Sequence, residues 1–96
     1  MINSYRDKRT ERFARGEAVK EFRPFAAAAE TRLARLNDAR SLGDLATVPG
    51  NRLERLRGDR RGQHSIRIND QWRICFHWDA SDGGAKDVEI VDYHRG

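Results

Sequence analysis

The chain is poor in cysteine and in long apolar runs. Its single cysteine, Cys75, has no partner for an internal disulfide, which is typical of proteins in a reducing compartment. No apolar stretch approaches the ~18 residues of a membrane-spanning helix, and Met1–Ser4 does not begin a basic–apolar–small signal pattern. We therefore predict a soluble, cytoplasmic protein, and a length of 96 residues predicts one domain over residues 1–96.

Lysine is also scarce, although the chain is basic. Of nineteen basic residues only Lys8, Lys20 and Lys86 are lysine, and the formal net charge is +4. The planar arginine side chain binds phosphate through two N–H groups and stays protonated at any cellular pH. This composition favours a polyanionic partner, RNA first, but a GC-rich genome explains the arginine content equally well.

The sequence patterns of metal sites and of activated nucleophiles are missing. His64, His77 and His94 have no paired metal-ligand spacing with Cys75, and His64 and His77 are predicted on opposite faces of a sheet. No serine or cysteine lies in a recognisable nucleophile turn, and Gly83-Gly84 lies between strands instead of before a helix. We therefore predict no metal site.

Helical periodicity marks the first half of the chain. Pro24 suits a first helical turn, and apolar residues follow it at helical spacing, which predicts a long helix over Pro24–Ala39. The remaining predictions for this half are a short edge strand over Ile2–Tyr5, a short helix over Thr10–Arg15, a loop over Glu17–Arg23 and a further turn over Ser41–Leu45.

Alternating apolar and polar residues predict strands in the second half. Gln63–Ile68 and Trp72–Trp78 alternate, and a three-residue loop over Asn69–Gln71 is the length that unites their apolar stripes on one face. Strands over Arg52–Leu56 and Val88–Val91 flank this pair, and the fold class is α+β. The face away from the helices is then predicted to carry Ser65, Arg67, Arg73, Cys75 and His77.

The remaining candidates for catalytic residues are the arginines and the final segment Asp92-Tyr93-His94. RNA is cleaved without a metal when its own 2′-hydroxyl attacks the phosphate, which requires a base, cations and an acid. Arg57, Arg67 and Arg73 are candidates for the cations, and the imidazole of His94 suits acid or base work. Tyr93 is suited to stacking on a base or to sharing the proton transfer. Composition and spacing alone lead no further than a small basic domain that binds RNA, with solvated arginines and a frayed chain end as the alternatives.

Several short motifs resemble, in order and spacing, the HigB branch of the RelE-like bacterial toxins, within the plasmid maintenance killer superfamily. The resemblance covers essentially the whole chain. It implies a RelE-like microbial RNase fold, in which an N-terminal strand and helices pack on a twisted, mainly antiparallel sheet. The motifs are Pro49-Gly50-Asn51-Arg52-Leu53, Gly58-Asp59-Arg60, Ser65-Ile66-Arg67-Ile68, Trp72-Arg73-Ile74 and Asp92-Tyr93-His94.

The resemblance implies the toxin of a type II toxin–antitoxin system. Such a toxin is a ribosome-dependent mRNA endonuclease, or mRNA interferase, that cuts translated messages and arrests growth without a metal or cofactor. A HigA-type antitoxin with a helix-turn-helix holds it inactive, and the complex binds operator DNA. The alternative is a catalytically weak or decayed toxin that pairs with its antitoxin and regulates the operon. A free RNase active on naked RNA is disfavoured by the small, partly acidic surface.

The resemblance also implies roles for single residues. Arg73 matches the strand-borne arginine that binds phosphate, and Asp92, Tyr93 and His94 match the C-terminal catalytic segment. Arg57 falls where a basic residue, often lysine, is found. The further arginines predicted to contact RNA are Arg60 and Arg67.

Glu54 departs from the family pattern, since some relatives carry an active-site histidine at this position. A carboxylate here repels the scissile phosphate unless an arginine neutralises it. The same carboxylate is also a possible base. Both interpretations of Glu54 remain open from the sequence.

Overall fold

The structure is a computed structural model that describes residues 1–92. Helices occupy the first half and strands the second, as the sequence predicts. The helices are α1 (Lys8–Ala14), α2 (Ala26–Asp38) and α3 (Leu42–Ala46), with a 3₁₀ helix over Lys20–Phe25 between α1 and α2. The strands are β1 (Glu54–Arg55), β2 (Gln63–Arg67), β3 (Trp72–Asp79) and β4 (Gly84–Asp92), with a 3₁₀ turn over Gly58–Arg60 between β1 and β2.

The helix α2 lies close to the predicted bounds and covers one face of the sheet. It begins at Ala26, two residues after Pro24, because Pro24 belongs to the preceding 3₁₀ helix. Its residues Ala29, Leu33 and Leu36 are buried in the core at the helical spacing that the sequence shows. No helix within residues 1–92 is long and apolar enough to cross a membrane.

The loop prediction for Glu17–Arg23 is wrong from Lys20 onward. The 3₁₀ helix there buries Phe22 completely, and the Phe22 ring packs edge-on against Phe13 at 5.3 Å and against Trp72 at 5.8 Å between centroids. A 3₁₀ helix of one or two turns has too few residues to show a period, so the sequence carries no visible signal for it.

Strands β1 to β4 form an antiparallel sheet in sequence order. Strands β2 and β3 pair Ile66 with Ile74, and the amide of Ile68 donates to the carbonyl of Trp72 at 3.0 Å. This register leaves Asn69–Gln71 as the connection, so the predicted three-residue loop is confirmed. The apolar stripes of both strands therefore face the helices in a common core.

Strand β4 has nine residues, five more than the predicted Val88–Val91, and a β-bulge interrupts its pairing with β3. Cys75 pairs with Glu89 but His77 pairs with Lys86, which leaves Asp87 as the extra residue with φ +53. A bulge of this kind interrupts the alternation of side chains, so the first half of the strand reads as a loop in the sequence.

The N-terminal segment lies along the free edge of β4. Ile2 and Tyr5 form isolated parallel bridges to Ala85 and Val88, so the predicted edge strand over Ile2–Tyr5 is reduced to two bridges. The approach is close at Gly84, where an added Cβ would lie 2.1 Å from the carbonyl oxygen of Met1. Glycine is therefore required at Gly84 for this pairing.

Candidate active site

Arg73 lies on β3, on the sheet face opposite the helices, and is only 7% exposed. Its Nε donates to the hydroxyl of the fully buried Ser65 at 2.8 Å, and its Nη2 donates to the backbone carbonyl of Arg52 at 2.7 Å. A buried guanidinium requires such partners, since an uncompensated charge in the interior is strongly destabilising. The predicted phosphate-binding arginine is thus also a structural residue of the sheet.

The segment that accepts the Arg73 hydrogen bond has an unusual backbone. Arg52 has φ +46, in the left-handed region that non-glycine residues rarely adopt. Asn51 anchors this segment: it is fully buried, its Nδ2 donates to the Leu45 carbonyl at 3.1 Å, and its own carbonyl accepts the Arg67 amide at 2.6 Å. The turn after α3 is therefore held so that the Arg52 carbonyl points at Arg73.

Glu54 forms an ion pair with the same guanidinium. Its Oε1 lies 3.3 Å from Nη1 of Arg73, and the Glu54 side chain is 50% exposed. Strand β1 positions it, because Glu54 pairs with Ser65 across β1 and β2 and so shares the face that carries Arg73. Of the two interpretations of Glu54, neutralisation by an arginine is therefore present in the structure.

Arg67 is directly opposite Arg73 in the β2–β3 pair, as the loop length predicts. Its Nη2 contacts the carboxylate of Asp70, and its backbone carbonyl accepts a hydrogen bond from Nε of Arg32 at 3.0 Å. The side chain is one-quarter exposed. Two arginines thus lie side by side on the face predicted for chemistry, each with a carboxylate beside it.

Arg60 is engaged within the protein. Its Nη1 donates to Oε1 of Gln63 at 3.0 Å and to Oε1 of Glu89 at 3.2 Å, and Arg6 approaches the same Glu89 oxygen at 3.7 Å. These contacts fix the 3₁₀ turn against β4. Arg60 therefore stabilises one wall of the site, a role that the sequence does not predict.

A groove of about 410 Å³ lies between this turn and the end of β4. Arg57 lines it and is exposed, and its side chain has no hydrogen-bond or ion-pair partner among residues 1–92. The groove is thus lined by two arginines and two aspartates, and its Arg57 side chain forms no ion pair within the described chain. Its lining residues are Leu56, Arg57, Gly58, Asp59, Arg60, Val91 and Asp92.

Asp92 is the last residue that the structure describes, and it lines this groove. It pairs with Trp72, whose ring packs on Phe25 at 4.9 Å, so the register directs its side chain toward the helix face and not the Arg73 face. Its Oδ2 accepts a hydrogen bond from Nε2 of Gln71 at 2.8 Å. Tyr93 and His94 lie outside the described residues.

The arginines of two stretches differ in their partners. In the first stretch, Arg6, Arg9, Arg12 and Arg15 each lie within 3.0–3.7 Å of a carboxylate. The second stretch is called here the arginine strip and consists of exposed side chains that have no carboxylate partner among residues 1–92. Its members are Arg52, Arg55, Arg57 and Arg61.

The remaining titratable residues near the sheet are not arranged as an alternative site. Burial raises the pKa of the Cys75 thiol to about 11, so the thiol stays protonated and is a poor nucleophile. Burial, together with the charge of Arg55, lowers the pKa of His64. The His64 ring stacks on Phe76, on the side of the sheet that faces the helices. Within residues 1–92 no group of His, Cys, Asp and Glu is positioned to hold a metal ion.

Sequence reasoning missed the residues that hold Arg73 in place. Ser65 carried a partial signal, because the predicted register already placed it on the same face as Arg73. The Arg52 carbonyl carried none, since a backbone acceptor from a left-handed residue has no side-chain pattern. Gln63 was likewise assigned only to a strand face, whereas it is buried beneath Arg60.

These features define a small basic α+β protein, with helices on one face of an antiparallel sheet and a cluster of arginines on the other, which is the arrangement expected of a RelE-like toxin. A family model described as the RelE-like toxin of the type II toxin–antitoxin system HigB matches residues 3–94. Toxin HigB-1 of Vibrio cholerae serotype O1 is 38% identical to this chain over 82 residues, which cover 81% of this chain and 84% of that protein. The chain belongs to the HigB-like toxin family, and the predicted resemblance and α+β fold class are confirmed.

Proposed function

We propose that this toxin is a ribosome-dependent mRNA endonuclease that cleaves translated messages by using the RNA 2′-hydroxyl as the nucleophile. Arg73 and Arg57 stabilise the charge that develops on the phosphate. His94 and Tyr93 carry out proton transfer, and Asp92 orients this segment. Arg60 and Arg67 extend the positive field along the RNA, although both also hold carboxylates of the protein.

The observation that carries this proposal is the arginine strip, one member of which, Arg57, lines the groove. Arginines that neutralise phosphates supply much of the affinity for a polyanion, and the strip arginines have no carboxylate partner in the described chain that would compete with a phosphate. Arg57 belongs to both the strip and the groove, and the groove is also lined by Asp92, which directly precedes Tyr93 and His94 in the chain. A phosphate bound in the groove would therefore lie beside Arg57, an arginine that has no competing carboxylate in the described chain.

As a member of a type II toxin–antitoxin family, the protein has an antitoxin partner. We propose that this antitoxin is of the HigA type, with a helix-turn-helix, and that the complex binds operator DNA. We also propose that the toxin acts in the cytoplasm, because its proposed substrate is mRNA on the ribosome.

Primer extension on a defined mRNA with programmed ribosomes tests the activity. Wild-type protein should produce cuts only when ribosomes are present, and His94→Ala should lose them while keeping the wild-type thermal unfolding temperature. Cuts on naked RNA at the same enzyme concentration would instead identify a free RNase. Unchanged cleavage by His94→Ala would remove His94 from the chemistry.

The structure also favours one alternative, a catalytically weak toxin that serves mainly as an antitoxin-binding and operon-regulating module. Glu54 lies 3.3 Å from the guanidinium of Arg73, so a scissile phosphate has to approach this arginine in the presence of a carboxylate. Induced expression without antitoxin separates the two functions, because a weak toxin leaves the growth rate unchanged whereas an active endonuclease arrests growth.

A further inference from the structure

The groove has two walls that come from distant parts of the chain. One wall is the segment Leu56–Arg60, which follows β1, and the other is the end of β4 at Val91 and Asp92. A side-chain contact joins the walls, because Nη1 of Arg60 donates to Oε1 of Glu89 on β4 at 3.2 Å. Glu89 and Val91 are alternate residues of the same strand, so their side chains share one sheet face. The width of the groove therefore depends on the contact between Arg60 and Glu89.

Glu89 holds Arg60 from a largely buried position. The Glu89 side chain is 19% exposed, and the same oxygen lies 3.7 Å from Nε of Arg6. Arg6 is itself attached to β4, because its amide donates to the Val88 carbonyl at 3.0 Å. The Nη1 of Arg60 also donates to Oε1 of the buried Gln63 at 3.0 Å. Arg60 therefore cannot move away from β4 without breaking two hydrogen bonds, one of them to a carboxylate.

The sheet beneath this contact carries small side chains. Glu89 pairs with Cys75 across β3 and β4, and Cys75 pairs with Ser65 across β2 and β3. The three side chains share the face away from the helices, and yet Cys75 and Ser65 are fully buried. Burial raises the pKa of the Cys75 thiol and the charge of Arg60 opposes this rise, which is the effect of a 3₁₀ turn that lies above this row. The small residues of the row let the turn come close enough for Arg60 to reach Glu89.

Arg57 depends on the same turn for its position. Its carbonyl accepts the Arg60 amide at 3.2 Å, so the two residues are joined within one 3₁₀ turn. The Arg57 side chain is exposed and has no hydrogen-bond or ion-pair partner among residues 1–92. Gly58 follows it with φ +63, in a backbone region where glycine keeps the chain flexible. The contact from Arg60 to Glu89 is therefore the restraint that determines where the Arg57 guanidinium can reach.

We infer that Glu89 is a positioning residue, which acts through Arg60 to fix the groove and to hold Arg57 where it meets an RNA phosphate; this inference rests on the proposed endonuclease function. Removal of Glu89 has two effects of opposite sign. By charge alone, the loss of a carboxylate beside the groove strengthens the binding of a polyanion. By loss of position it weakens that binding, because Arg57 has to be ordered when the phosphate arrives. The direction of the change in affinity therefore decides between the two roles of Glu89.

The first experiment measures the affinity for ribosomes programmed with a defined mRNA, at a temperature where every variant is folded. Glu89→Ala removes both the charge and the acceptor for Arg60, and we expect the affinity to fall by about tenfold, the equivalent of one charge-assisted hydrogen bond. Glu89→Gln removes the charge but keeps an oxygen that accepts from Arg60, so most of the affinity should return. An affinity of Glu89→Ala equal to or above that of wild type would overturn the inference, since Glu89 would then contribute no positioning.

A double variant tests whether Glu89 acts through Arg57. If it does, Glu89→Ala should change the affinity by less than about twofold once Arg57→Ala is present, because the group that Glu89 positions is already gone. If the two substitutions instead multiply their separate effects, Glu89 does not act through Arg57 and the inference is overturned.

The matched control is Glu11→Ala. Glu11 on α1 is also a partly buried glutamate, 29% exposed, and it also holds two cations, with Arg15 at 3.0 Å and Lys8 at 4.0 Å. It does not line the groove. The substitution removes the same charge as Glu89→Ala, and the affinity should not fall. An equal fall for both variants would mean that the loss of any such ion pair weakens binding, which contradicts a specific role for Glu89.

The order of the turn is measured without RNA, which separates this inference from the proposed function. In Glu89→Ala the backbone NMR order parameters of residues 57–62 should fall from about 0.85 toward about 0.6, and in Glu89→Gln they should stay near the wild-type values. Normal ribosome-dependent cuts by wild type, together with an unchanged turn in Glu89→Ala, refute only the positioning role. Absence of such cuts by folded wild-type protein refutes the endonuclease, and with it the RNA role of Glu89, even if the turn loosens in Glu89→Ala.

Discussion

Arg73 and Glu54 form an ion pair whose members differ sharply in exposure: the Arg73 side chain is 8% exposed and that of Glu54 is 50% exposed, with Nη1 and Oε1 3.3 Å apart. The cation is therefore part of the protein interior and the anion part of the surface. If Arg73 stabilises a bound phosphate as proposed, we expect it to act mainly through its fixed charge, since water screens a buried charge less than an exposed one. An exposed arginine such as Arg57 is better placed for direct contact.

The double role of Arg73 predicts that its removal lowers stability as well as activity. Arg73→Ala leaves the buried Ser65 hydroxyl and the Arg52 carbonyl without their donor, and we expect a loss of about 2–3 kcal/mol in the free energy of unfolding. Urea denaturation of the purified variant measures this loss. Abolished toxicity in Arg73→Ala is therefore evidence for a catalytic role only if the variant is folded at the assay temperature.

Ser65→Ala is the matched variant, because it removes one hydrogen bond of Arg73 and keeps the charge. We expect it to cost about 1 kcal/mol of stability and to retain most of the cleavage rate. A Ser65→Ala variant as unstable as Arg73→Ala would show that the hydroxyl, and not the guanidinium, organises this part of the sheet.

The contrast between the two arginine stretches predicts a difference in salt dependence. The double variant Arg55→Ala/Arg61→Ala should weaken ribosome binding and lower the slope of log affinity against log salt concentration by roughly 0.7–0.9 for each lost phosphate contact. The double variant Arg12→Ala/Arg15→Ala removes the same charge, but from side chains that are already paired with Glu17 and Glu11, and should leave the slope unchanged. Equal slopes for both double variants would mean that net charge alone governs binding.

The parts of the fold that followed from the sequence are those that side-chain periodicity specifies. The length of the Asn69–Gln71 loop could be predicted because only a loop with an odd number of residues places Ile68 and Trp72 on one face. This loop length also places Arg67 beside Arg73. The bulge at Asp87 could not be predicted, because its left-handed backbone is set by the pairing of β4 with β3 and by a hydrogen bond from its amide to the Ser4 hydroxyl.

The candidate site shows the same division between local pattern and long-range contact. The sequence predicted Arg73 as a site residue and raised the neutralisation of Glu54 by an arginine as one alternative, and in the structure Arg73 is that arginine. The sequence could not predict that Arg60 is held by Glu89, since these residues are 29 positions apart and meet only when the 3₁₀ turn folds over β4. The roles of Tyr93 and His94 stay predictions from the resemblance.

The lowered pKa of His64 predicts a loss of stability on the acid side. The ordinary imidazole pKa is about 6.5, and in the folded protein burial and Arg55 hold the pKa of His64 below this value. As the pH falls below about 6.5 the unfolded chain takes up a proton that the folded chain resists, so the free energy of unfolding decreases; above this pH the contribution is fully present. Urea denaturation at a series of pH values from about 8 to about 5 measures the effect.

The variant His64→Phe removes this titrating group and retains a ring that can stack on Phe76. Its stability should therefore decrease less than that of wild type over the same acid range. Parallel pH dependences for the two proteins would mean that another group is responsible for the acid sensitivity of the wild type.

Thr10 on α1 holds the outer edge of β4 by a buried hydrogen bond. The amide of Ile90 donates to the Thr10 hydroxyl oxygen at 3.1 Å, and both residues are fully buried. Thr10→Val keeps the shape and removes the acceptor, which leaves a buried amide unsatisfied and should cost about 1–3 kcal/mol. Thr10→Ser loses only a methyl group and keeps the acceptor.

Hydrogen exchange of the Ile90 amide distinguishes the variants: the amide should exchange faster in Thr10→Val, measured relative to the amides of β3, and should keep its protection in Thr10→Ser. Because β4 leads directly to the proposed catalytic segment, we expect Thr10→Val, but not Thr10→Ser, to lower the cleavage rate at temperatures where both proteins are folded. Equal protection of Ile90 in the two variants would show that packing of α1, and not this hydrogen bond, holds the edge of the sheet.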